Sequence, residues 1–570
     1  MTPTSPSRPS RTAARAVAAA LLLGCWLPGG TPTAHAAPGG ATAPVTRAQD
    51  DGVAGDLALP VVAVGAAAAF AAVAAVRRRR RFTTRTTPGG TGAPRVPLAD
   101  LDAEARRLLV ATDDAVRTSA EEVAFVTAAS GTEGERAPSG SGDAVAAVAA
   151  VAAAREEVAA AFALRQRLDG FRGDDGTRRR LLDEITAHCS RAGRLLDAEA
   201  AAWDELRALE QRAPDAVERA ERVFRQVNAR ALEADGMLKE LRSRYAPAAS
   251  DAVLGDVEQA KDRLVFATTR LNQARQALDT ADPGRAAVHL RAAEGAVGQA
   301  GRLVDGVLRF AWEVGAADWR LPGALEAAEA DAADARGAGG AGGARAERVE
   351  RVERVEHVVA EVRRERDTES YDPVGALRRL VEAHAALAEA LAEAGAGDEA
   401  DGRARALLDQ ALLIARGDVA AADDRVATHR GAVGCAARTR LAEAGRWLRE
   451  AEQRHAEADA AGSRAPGGGG RARLGAALDG ARRAAESGRR ARALAERDVR
   501  AYGNPSADGV PESGVGGAVL GGILVEGGVP AAFGGPRTRA RLGEFGRRGA
   551  RGTQGAYGVR GTQGAQGAQG

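Results

Sequence analysis

Phosphate, metal and nucleophile chemistry each require particular residue types at particular spacings. A phosphate-cradling Walker loop needs Gly-Lys-Ser/Thr, so that backbone amides and the lysine ammonium meet phosphate oxygens together. The chain has two lysines, Lys239 after Leu238 and Lys261 after Ala260, and neither fits. A zincin helix needs a histidine followed by glutamate, and no histidine here has one. No serine has glycine at both −2 and +2, so the strained elbow of an α/β-hydrolase is absent. Gly140-x-Gly142 follows a linker and not a strand, which denies it the setting of a phosphate loop. His188 and Cys189 are adjacent soft ligands, but a helix points consecutive side chains about 100° apart, so they make a poor chelate. Cys25, Cys189 and Cys435 lie too far apart in sequence for a local CxxC site. Acidic residues are abundant but expected on helix surfaces, and no carboxylate pair stands out. The residues therefore nominate no catalytic, cofactor-binding or metal-binding position, and the chain is expected not to be an enzyme.

The elements that would carry any site are helices. Of 570 residues, 45% are hydrophobic, mainly alanine, and 3% are aromatic. Alanine, leucine, arginine and glutamate lead the helix-propensity ranking, so an all-α fold follows and a large sheet is excluded. The 79 basic and 77 acidic residues nearly cancel, which argues against a nucleic-acid binder. Helices are expected from 96 to 502. Asp282-Pro283 and Asp372-Pro373 each offer an N-cap acid before a first-turn proline, and Pro214 and Pro322 are expected to open helices too. Gly/Ser-rich stretches at 130–142, 337–343 and 467–470 read as linkers.

A repeat runs through these helices. Arg263-Leu264-x-x-Ala267-x-x-x-Leu271-x-x-Ala274 recurs as Arg379-Leu380, Ala383, Leu387, Ala390 and as Arg440-Leu441, Ala444, Leu448, Ala451. Each copy is followed by Gly-Arg-Ala, at 284, 402 and 470, and then by Leu290/Ala293, Leu408/Ala411 or Leu478/Ala481. The 3-4-3 spacing lays the apolar residues along one face, so each copy reads as a helical hairpin and the set as an elongated bundle or solenoid. Val349, Val352, Val355, Val359 and Val362 form a narrow stripe flanked by Glu347/Arg351 and Glu350/Arg354. That stripe suits either a coiled-coil seam or one amphipathic helix of the bundle.

Both ends differ from this body. Residues 1–36 have a basic start, an apolar stretch from Ala16 to Leu27 and Ala34-His35-Ala36, the pattern of a signal peptide. Residues 37–56 would be a short extracytoplasmic segment. Leu57 to Val76 is uncharged and long enough to cross a bilayer, and Arg77 to Arg81 would hold the following chain in the cytoplasm, with 77–95 as stop-transfer and linker. Residues 503–570, rich in glycine, read as a disordered tail.

The chain resembles the actinobacterial TPM-domain membrane proteins. The strings that carry the likeness are VATDDAVRTSAEEVAF at 110–125, LEQRAPDAVERA at 209–220, LRSRYAP at 241–247, ARALLDQALLIAR at 404–416, HRGAVGCAARTRLAEA at 429–444 and GGAVLGGILVEGG at 516–528. In that family an extracytoplasmic α/β TPM domain, linked in some relatives to phosphatase-like activity, stands between signal and span. Residues 37–56 cannot contain it, so that activity is not carried over. The expectation is a membrane-anchored cytoplasmic helical scaffold or protein-interaction module, in the bilayer through Leu57 to Val76. It would have an unknown cytoplasmic protein partner, no cofactor, and the capacity to self-associate. The alternative is an accessory or degraded member of a TPM-type phosphatase system.

Overall fold

The computed structural model describes residues 96–130, 141–337, 343–368, 370–392, 398–462, 469–502, 523–524, 530–539 and 541. All belong to the compact unit Pro94–Gly570. Eleven α-helices account for nearly all of them: α1 Leu98–Ser130, α2 Ser141–Asp169, α3 Asp175–Arg207, α4 Ala213–Arg244, α5 Asp256–Asp279, α6 Pro283–Gly337, α7 Gly343–Arg366, α8 Pro373–Ala392, α9 Asp398–Thr428, α10 Cys435–Gly462 and α11 Gly469–Tyr502. A 3-10 turn, Pro247–Val253, joins α4 to α5. The protein is an all-helical bundle.

Helix ends follow local chemistry. Asp174 caps α3 by accepting from the Thr177 amide at 2.8 Å, and Asp282 accepts from the Arg285 amide at 2.9 Å where Pro283 opens α6. Pro214 lies in the first turn of α4, and Pro373 starts α8. Pro322 does not open a helix, contrary to expectation: it lies inside the 55-residue α6. An interior proline costs roughly 3 kcal/mol. Leu321, Ala324, Leu325 and Ala328 around it are all buried, and their packing offsets that cost.

At about 1.5 Å per residue α6 runs roughly 80 Å and serves two cores. Its first half packs with α4 and α5 around Val257, Leu264, Val304 and Val307. Its second half packs with α7, α8, α9 and α11 around Leu321, Val355, Leu377, Leu387 and Leu408. A third core, centred on Leu109, Leu182, Ile185 and Leu196, unites α1, α2 and α3. The first and third repeats form closely packed hairpins, α5 with α6 and α10 with α11, whereas α8 packs more on α6 and α7 than on α9. The valine stripe resolves to the second of its readings. Val352, Val355, Val359 and Val362 are buried in the shared core, with Val349 exposed, so α7 is an amphipathic helix of the bundle and not a coiled-coil seam.

Two expectations need correction. Placement as a single-pass membrane protein is contradicted: among the described residues no helix is long and apolar enough to cross a membrane, because charges recur along every helix. The signal peptide 1–36 and the stretch Leu57 to Val76 on which that expectation rested lie outside the described residues. The region 503–570 is also not wholly a disordered tail. Phe533 is fully buried against Trp203, and its neighbours hydrogen-bond into α1 and α3.

Candidate functional site

Where α1 crosses the turn between α9 and α10, charged side chains are buried together. On α1, Asp113, Arg117 and Glu121 recur every fourth residue and so share one face. On the other side Arg430 and Arg438 are almost fully buried. Arg438 donates from Nη1 to Asp113 Oδ2 at 2.6 Å and to Asp114 Oδ1 at 2.7 Å. Its Nε and Nη2 reach the carbonyls of Val433 at 3.0 Å and Arg430 at 2.9 Å, so one guanidinium fixes the turn and docks it on α1. Arg430 pairs with Glu121 and donates to Thr118 Oγ1 at 3.2 Å. Arg117 bridges Asp113 at 3.1 Å and Asp423 of α9 at 2.8 Å.

The network continues across α6. Arg302 meets Glu121 at 3.1 Å, and Arg207 of α3 meets Glu122 at 3.1 Å and Glu294 of α6 at 2.5 Å. Burial would push the carboxyls up. Arg117 and Arg438 nevertheless hold Asp113 below its usual range, and Arg430 and Arg302 do the same for Glu121. Desolvation of this kind is tolerable only where every charge has a partner. His429, buried beside Thr428, is pushed down to about 4 by burial and by Arg425 and Arg263, so it stays neutral.

A separate cavity of about 310 Å³ is lined by Glu313 of α6, Gly417 and Asp418 of α9, Arg378 of α8, and Arg489 and Arg492 of α11. Burial pushes the Glu313 carboxyl up to about 7, and the nearby Asp418 and Asp424 add to the effect against Arg309. Gly417 makes this position possible, since a Cβ there would stand 2.6 Å from Glu313 Oε2. Asp418 is held by Arg378 at 2.8 Å and Arg489 at 3.2 Å. A carboxyl titrating near neutrality beside a cavity can exchange protons. No serine, threonine, cysteine, lysine or histidine shares the lining, and among the described residues no group of three or more His, Cys, Asp or Glu could hold a metal ion.

His188 and Cys189 are not brought together for chemistry. His188 Nδ1 lies 2.6 Å from Glu157 Oε2 on α2, while Cys189 points into the core of α1–α3, where burial pushes its thiol up to about 11. The expectation that acidic residues sit on helix surfaces fails at Asp113, Glu121, Glu122 and Glu294, which are largely withdrawn from water. The signal that could have found Asp113 and Glu121 is the i,i+4 alternation of charge through Arg117 within TDDAVRTSAEE; no local pattern marks Glu122 or Glu294. The strings at 110–125 and 429–444, two of the six that carry the family resemblance, supply the α1 side and the turn side of this network.

Two curated Mycobacterium tuberculosis proteins, from strains CDC 1551 / Oshkosh and H37Rv, each named a UPF0603 protein, are 30% identical to this chain over 363 residues. The match covers 63% of this chain and 54% of the relative, so the chain spans about half the length of the curated relatives it matches. No family model matches the chain. No solved structure matches it. Likeness to a mycobacterial, hence actinobacterial, protein is thereby shown. Kinship with TPM-domain proteins is not.

Proposed function

We propose that the chain is a helical scaffold, a protein-interaction module without catalytic activity, related to the TPM-domain proteins through the strings that build its charge network. The supporting observation is that the buried charged groups where α1 meets the α9–α10 turn are engaged with one another. Asp113, Asp114, Glu121 and Glu122 each pair with an arginine that also ties a second element in place. Such a network orients helices; it does not present a reactive atom to a substrate.

The full chain, incubated with a generic phosphomonoester over pH 5–9, should release no phosphate above a buffer blank. Turnover that disappears in Glu313→Gln would overturn the non-catalytic reading and favour membership in a phosphatase system.

A further inference from the structure

Residues 523–524 and 530–539 of the C-terminal glycine-rich segment are seated on the bundle, first as an antiparallel bridge and then, from Pro536, as a short helical turn. Ile523 and Leu524 run out and Pro530 and Ala531 return, with Leu524 and Pro530 paired antiparallel and the Ala531 amide donating to the Ile523 carbonyl at 2.9 Å. Ile523 is buried over Gly295 of α6. Phe533 stacks on the Trp203 indole at 5.3 Å between centroids, and Trp203 Nε1 is steadied by Glu122 Oε2 at 2.9 Å.

Past Phe533 the contacts read backbone. Gly534 has φ +134, a conformation that favours glycine, and its amide donates to Ser119 Oγ of α1 at 3.1 Å. Asp197 Oδ1 of α3 accepts from the Gly535 amide at 2.9 Å, the Thr538 amide at 3.2 Å and Thr538 Oγ1 at 2.6 Å. A Cβ on Gly535 would run into the Gly193 carbonyl, and a Cβ on Gly193 would come within 3.0 Å of the Pro536 ring. Arg539 then lies close to Asp114 and Glu121 of the charge network, with Nη1 out of water and unbonded.

These contacts amount to a reading frame: an aromatic in an indole-floored pocket, two positions that admit glycine alone, a proline over a glycine, and a hydroxyl on a buried-side carboxylate. The groove walls have packing of their own beside the segment, although Phe533 joins the core of α1–α3 and Ile523 the core of α4–α6. α1 and α3 are held together by Leu109, Leu182, Ile185 and Leu196, and no helix of the bundle passes through the seated residues. We propose that the groove between α1, α3 and α6 is a peptide-recognition site for a Phe-Gly-Gly-Pro-x-Thr segment, with residues 530–539 as its resident, exchangeable ligand. This rests on the interaction-module reading and gives it a ligand chemistry.

The test uses the full chain carrying Phe533→Ala, which empties the aromatic pocket, and a labelled synthetic peptide of residues 528–541. The peptide should bind this variant saturably, and at least about 10-fold more tightly than it binds the unaltered chain, where the tethered segment competes at high effective concentration. The same peptide with Gly535→Ala should bind at least about 10-fold more weakly. Absence of saturable binding to a Phe533→Ala chain of native helical content overturns the proposal. If that variant does not fold, hydrogen exchange on the unaltered chain decides. Amides of Gly534, Gly535 and Thr538 that open well before those of α3 support an exchangeable ligand, whereas amides that open only with α3 mark a fixed part of the core. Neither result depends on whether the chain turns over a phosphomonoester.

Discussion

Arg438 shows how much one side chain can carry. Its guanidinium serves two carboxylates on α1 and two carbonyls of its own turn, a planar fork that lysine cannot reproduce. Removing one partner of a buried ion pair costs about 3–5 kcal/mol, because the other charge stays buried. Arg438→Met should therefore shift urea unfolding by that amount, and Arg438→Lys should recover little of it. Full rescue by lysine would mean that charge alone, and not the fork, holds the turn. Glu313 works in the opposite sense. Its folded value of about 7 lies above the ordinary 4.5, so the fold favours the protonated form and pays nothing below pH 4.5. Stability is then lost as pH rises through 7, by at most about 3 kcal/mol. The glutamine variant should match the unaltered chain near pH 4 and melt several degrees higher at pH 8. A melting difference that does not change with pH would show that Glu313 keeps an ordinary pKa.

Among elements, the repeat leucines differ in exposure, and the difference ranks their effects. Leu387 and Leu271 are buried, Leu448 is half-buried, and Glu389 is exposed. Truncating a buried leucine costs about 2–5 kcal/mol. Leu387→Ala and Leu271→Ala should thus lower the denaturation midpoint clearly, Leu448→Ala less, and Glu389→Ala by under about 0.5 kcal/mol. Equal losses at all four positions would dissolve the repeat as a packing unit. On α7 the same logic separates Val355, fully buried, from Val349 at 47% exposure: aspartate should unfold the chain at the first and be tolerated at the second. Trp312 and Trp319, seven residues apart on α6, are 64% and 81% exposed. Their replacement by glutamine should leave the melting temperature unchanged.

At the scale of the whole helical unit, α6 and the charge network couple the cores. Leaving any one core would strand buried charges: Asp113 from Arg438, Asp423 from Arg117, and Glu294 from Arg207. Single-tryptophan chains retaining Trp203, in the core of α1–α3, or Trp447, between α10 and α11, should report the same urea midpoint. Separate midpoints would show that the cores unfold independently and that the network does not bind them into one unit.

The sequence alone settled what depends on neighbours within a turn or two. Propensity, proline placement and Asp caps act over about four residues, so the all-helical class, the starts of α4, α6 and α8, and the inward faces of the Leu/Ala stripes were readable directly. Tertiary structure decided the rest, for a common physical reason: desolvation depends on groups brought together from far along the chain. Asp113 and Arg438 are 325 residues apart, and only their meeting turns two surface-like charges into a buried pair. Pro322 stays inside a helix because flanking leucines and alanines pack against other helices. Phe533, alone in a glycine-rich stretch, is held because Trp203 and Asp197 lie on a helix more than 300 residues upstream.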